Sequence, residues 1–116
     1  MILRNISGST LAYIEDEEVR DSSRRILCEF LSDCVLDDAG RTLGSIQGGS
    51  ILDSSGSTLA RYDDSTVMTS SGSTKFRLSS SSIMTPSGST IFRLDRAPTD
   101  VLEAVVAWLV FFSNEW

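Results

Sequence analysis

The side chains of this chain limit the chemistry it could do. It has no histidine, which removes the Ser-His-Asp and Cys-His arrangements of nucleophilic catalysis. Two cysteines, Cys28 and Cys34, stand in neither a CxxC nor a zinc-ligand spacing. Cys28 reads as a small core residue. Cys34 reads as a thiol at a turn with nothing basic beside it. Asp21, Asp37 and Asp53 recur at one interval. Stacked close together, such carboxylates repel, and a cation could relieve them. The glycine-rich nonapeptide of calcium-binding repeats is missing, so these aspartates read as turn caps on a solvated edge. The acidic run Glu15, Asp16, Glu17, Glu18 reads as a solvated turn. Arg61, Arg77 and Arg93 could meet an anionic ligand, but read first as a solvated face paired with nearby aspartates. No catalytic, cofactor-binding or metal-binding residue is assigned, and the chain is expected to be no enzyme.

The elements that must position these residues are set by a repeat. Gly8, Gly40, Gly56, Gly72 and Gly88 are separated by multiples of sixteen, and the missing member falls at Arg24. Residues 3 to 97 are six copies of one unit without insertion. Five residues before the glycine position stand Leu3, Val19, Val35, Ile51, Val67 and Ile83, all aliphatic. Two after it stand Thr10, Ile26, Thr42, Thr58, Thr74 and Thr90. Four after stand Ala12, Cys28, Gly44, Ala60, Phe76 and Phe92; six after stand Ile14, Phe30, Ile46, Tyr62, Leu78 and Leu94. Alternation of this kind marks a strand with one buried face. It places the threonines inward, which argues against a flat ice-binding array. Asp–Ser–Ser–Gly and related segments supply the turns, so each unit is strand, turn, strand, turn.

A constant period with like residues at like positions favours an all-β fold, a β-solenoid of six sixteen-residue coils with two strands per coil. A sandwich of stacked hairpins is the alternative. The motif in DDAGRTLGSI resembles that of short bacterial solenoid (parallel β-helix-type) repeat proteins. That resemblance covers residues 3 to 97, implies architecture, and is nearly silent about activity. The hexapeptide-repeat acyltransferases share the shape, but rely on a histidine base and a different coil length.

Two regions follow: residues 1–97 as the repeat, and 98–116 as a C-terminal packing segment. In the latter, Asp100 and Glu103 have the spacing of a capping box, and a helix is expected from about Val101 to Phe112. Only Glu103 is charged in that stretch, and a helix apolar all round is buried all round. The helix is expected either to lie back along the outer stripe Leu36, Leu52, Met68, Met84 or to cap the open end of the stack. A second stripe, Leu11, Leu27, Leu43, Leu59, Lys75, Ile91, is also nominally outward. With a solenoid interior already filled, the other side of the helix needs a partner. A homodimer is expected, with Leu36, Leu52, Met68, Met84, Val105, Trp108, Leu109 and Phe112 as its interface. The first coil starts without a cap, leaving an unpaired edge as a second contact.

Composition narrows the partners. A net charge of −6 and a pI of about 4.4 leave no basic patch for nucleic acid. The helix carries no basic residues, which argues against membrane contact. The start lacks a signal-peptide pattern and the cysteines are few, so the expected setting is the cytoplasm. The expected function is that of a self-associating structural or interaction module, with ligand binding on a side-chain ladder (cation, polyanion or ice) as the alternative.

Overall fold

The computed structural model describes all 116 residues. Twelve strands run in sequence: β1 Ile2–Asn5, β2 Thr10–Ile14, β3 Glu18–Asp21, β4 Ile26–Leu31, β5 Cys34–Asp37, β6 Thr42–Gln47, β7 Ser50–Asp53, β8 Thr58–Tyr62, β9 Thr66–Thr69, β10 Thr74–Ser79, β11 Ser82–Met84 and β12 Thr90–Leu94. One helix, α1 Leu102–Phe111, ends the chain. Every strand pairs antiparallel with its neighbours in sequence, and β1 pairs with β12 through Leu3↔Leu94, Arg4↔Arg93 and Asn5↔Phe92. The result is a closed barrel.

This overturns the solenoid. The six units are not parallel coils stacked on one another; they are six hairpins side by side in a ring. The reason lies in the links between units. Ser32-Asp33, Gly48-Gly49 and Ser80-Ser81 are two-residue connections whose first residue has φ of +56°, +54° and +54°. Such turns reverse the chain at once and force antiparallel pairing, whereas parallel strands need a long crossover. Closure also removes the unpaired first edge. Met1 is tucked in, its ammonium donating to the Ile14 carbonyl at 3.0 Å.

The inward columns are those the alternation indicates. Leu3, Val19, Val35, Ile51, Val67 and Ile83 are fully buried, facing Ala12, Cys28, Gly44, Ala60, Phe76 and Phe92 across the hairpins. Two other columns differ from the expectation. Each hairpin has a bulge just beyond this inward pair, so Thr42, Thr58, Thr74 and Thr90 pair with outward Leu36, Leu52, Met68 and Met84. The extra residue is Leu11, Leu27, Leu43, Leu59, Lys75 or Ile91, and all but the lysine pack against the core. One inserted residue reverses which side chains face in: the threonines belong to the outer wall and the leucines to the interior.

Helix α1 fills the ring. It packs against β3 and β8, which stand on nearly opposite sides. Trp108 meets Phe92 of β12 edge-to-face at 5.1 Å. Phe111 meets β6, where a Cβ on Gly44 would lie 2.9 Å from its ring and 2.0 Å from the Leu52 carbonyl oxygen. Residues 104 to 110 are all buried. The molecule measures 34 × 33 × 23 Å, so a ten-residue helix about 15 Å long fits along its short axis. The helix therefore neither lies along the outer stripe nor needs a partner to cover it. Its capping box is also absent: Val101 is the N-cap with no side-chain bond, and Asp100 pairs with Arg96 at 3.0 Å instead. No helix is long and apolar enough to cross a membrane.

Leu109 is fully buried and Leu31 is 66% exposed. Leu109→Ala should cost about 2–5 kcal/mol, and Leu31→Ala under about 0.5 kcal/mol. Urea denaturation of both variants checks this; near-equal midpoints would place the helix outside the core.

Candidate functional site

The barrel has two unlike ends. At one end lie six nearly identical turns. In each, the residue three before the glycine position caps the loop. Asn5, Asp21, Asp37 and Asp53 accept from two backbone N–H groups ahead, as in Ser55 and Ser57 to Asp53 at 2.9 and 3.0 Å. In the last two units Thr69 and Thr85 stand there and accept more weakly, at 3.2 Å. The turn closes when the residue at the glycine position donates to the caps's own carbonyl, with φ between +68° and +96°. Arg24 holds that left-handed position in the second unit, with its guanidinium 4.4 Å over the Tyr13 ring.

These bonds account for the aspartate column as turn caps. Asp21, Asp37 and Asp53 are two strands apart, about 10 Å, twice the separation a stacked solenoid gives. No group of three or more potential ligands in the chain could hold a metal ion. Hydrogen bonds to the charged form lower the Asp37 and Asp53 carboxyls below their ordinary range. Donation from the Arg41 backbone leads at Asp37, and from the Ser55 hydroxyl at Asp53.

At the other end the hairpins connect and α1 enters. Open crevices surround the helix there, lined by Asp16, Asp33, Cys34, Asp64, Asp100 and Glu103. Asp63 caps its own turn, accepting from the backbone N–H of Ser65 and Thr66. Burial, with help from Glu103, pushes the Tyr62 phenol up to about 12, so it stays protonated. Cys28 is buried and its thiol is pushed up to about 12, chiefly by desolvation. Such a thiol is a core residue and not a nucleophile. Cys34 is exposed and unbonded.

The sequence-derived interface set is divided by the fold. Leu36, Leu52, Met68 and Met84 lie half-buried on the outer wall. Val105 and Leu109 are fully buried and Trp108 is 5% exposed, inside the barrel, with Phe112 half-buried at its mouth. The two halves do not meet. The arginine column was expected to pair with nearby aspartates and does not. Arg61, Arg77 and Arg93 have no carboxylate within 4.0 Å, whereas Arg20, Arg41 and Arg96 each have one. Sequence reasoning also missed that Arg4 joins this column, directly opposite Arg93; only ring closure brings the first and last strands together.

Six hairpins around a central helix make a flower-like section, and a family model for this form matches residues 2–113. The chain belongs to the 5-fold beta-flower protein family. The match covers the whole barrel and the helix of this beta-flower chain, whose ring closes with six hairpins. No curated protein and no solved structure matches it. The family establishes a repeat β-protein and corrects the resemblance to parallel β-helix proteins.

The caps give a pH dependence with a definite sign. In the folded chain the Asp53 carboxyl is held low, so the unfolded chain takes up the proton first as pH falls. Its contribution is complete above the ordinary value of about 3.9 and is lost as pH falls through the lower folded value. Asp53→Asn should keep the turn, as Asn5 does, and flatten the acid limb of stability. Urea denaturation at neutral pH and near pH 3 checks this; an unchanged acid limb would contradict it.

Proposed function

We propose that this beta-flower chain is a non-enzymatic structural module that makes protein contacts through its outer wall, first of all with further copies of itself. The observation that carries this reading is the apolar stripe Leu36, Leu52, Met68 and Met84. These residues occupy equivalent outward positions on β5, β7, β9 and β11. Exposed Leu31 extends the stripe, paired with Cys34 beside Leu36. The four side chains stand two strands apart, with Thr42, Ser45, Thr58 and Arg61 among them, and give a polar wall the apolar points on which a contact surface can form.

The interior supports the same reading from the opposite side. The helix occupies the space where a barrel of this size would hold a ligand, and the buried thiol of Cys28 is unreactive at neutral pH. Contacts, if made, are therefore made outside. Two unbonded cysteines agree with a reducing cytoplasmic setting.

Light scattering across a range of protein concentrations tests this. The wild type should exceed the 12.6 kDa monomer mass, and Leu52→Glu, which places a charge in the stripe without touching the core, should return it to that mass. A wild type that stays at the monomer mass at every concentration would contradict self-association.

A further inference from the structure

A second sector of the wall, away from Leu36 and Leu52, carries a different signal. Arg77 on β10, Arg93 on β12 and Arg4 on β1 point outward with no carboxylate within 4.0 Å. The chain has 16 acidic residues and only 10 basic ones, yet none of the acids forms an ion pair with these three, and Asp95, two residues on from Arg93, is its nearest acid in sequence. Arg4 and Arg93 stand directly opposite on paired strands, and like charges so placed destabilise a sheet. The fold does not require them. The equivalent pair is Glu29/Leu36 on β4–β5 and Ser45/Leu52 on β6–β7.

We infer that this sector is an anion-binding surface whose occupant is a short, extended, acidic segment of another protein. Guanidinium groups bind carboxylates as two-pronged forks, which suits them to such a segment. From β10 to β1 is three strand spacings, about 14 Å. An extended segment covers that in four or five residues, presenting alternate side chains to the wall. Met84, half-buried directly across from Arg77, adds an adaptable apolar contact, and Ser82 stands across from Arg93. A long polyanion is disfavoured, because the acidic end of the barrel (Asp16, Asp33, Asp64, Asp100) borders the same wall. The sector shares Met84 with the self-association stripe, but its arginines and its partner are different, so this inference stands or falls by a separate measurement.

The probe is a fluorescein-labelled peptide of five glutamates, followed by anisotropy at about 50 mM salt, where the screening length is about 14 Å. The wild type should bind it despite a net charge of −6, and binding should weaken as salt rises. Arg93→Glu should reduce affinity roughly tenfold or more. Arg25→Glu, the same charge change on the exposed turn between β3 and β4, outside this sector, should leave it unchanged. Arg93→Glu should also raise the thermal midpoint by relieving the clash with Arg4, which a merely structural arginine would not do. Absence of wild-type binding, or equal losses in both variants, would overturn the inference. Tighter binding of a five-nucleotide single-stranded DNA than of the peptide would overturn it in favour of nucleic acid.

Discussion

A ring of twelve strands encloses more space than its own inward side chains can fill. Eight strands already give an interior that side chains just occupy. Twelve strands about 4.8 Å apart have a circumference near 58 Å even before tilt, and a width near 18 Å. Something about 10 Å across must stand in the middle, and an α-helix has that diameter. Helix α1 supplies it, which is why residues 104 to 110 are buried on every side. The wall and the helix depend on each other. Without the helix the ring would surround a void, and a ten-residue helix alone is marginal in water.

A helix has no six-fold symmetry, so a repeated wall can fit it only by varying where the two touch. The column nearest the helix shows this. It is small at Ala12, Cys28, Gly44 and Ala60 and large at Phe76 and Phe92. Phe92 packs on Trp108, Phe76 lies 6.2 Å from Trp116, and Gly44 makes room for Phe111. The column paired with it, from Leu3 to Ile83, is uniformly aliphatic and fully buried. What looks in the sequence like loose tolerance in one column is the imprint of an asymmetric core on a symmetric ring.

Much of this was legible from residues alone. The six units, their two strands, the inward columns and the apolar helix all follow from period and alternation. The capped turns follow from Asp21, Asp37 and Asp53 ahead of the glycine position. The arrangement of the units was not legible, because parallel coils and antiparallel hairpins share one periodicity. The local signal that separates them was Gly48-Gly49, a two-residue hairpin turn between alternating segments. The bulge was also hidden: pure alternation puts the threonines inside and the leucine stripe outside, and one extra residue per hairpin exchanges them. Nor could the sequence show that Arg4 lies beside Arg93, since that contact spans nearly the whole chain. The pairing of these two arginines therefore became readable only after closure was known.

Filling the interior with the chain's own helix leaves the outer wall as the surface free to act, with an apolar arc on β5 to β11 and a basic arc from β10 to β1. Both depend on the ring being closed around the helix. Native-state amide hydrogen exchange tests that dependence most directly. If the helix is the core, the amides of residues 106–110 should exchange only by global unfolding, at the same opening free energy as the inner strand amides. Helix amides that exchange far faster than those of a still-protected barrel would show a ring that stands without its centre, and would contradict the account.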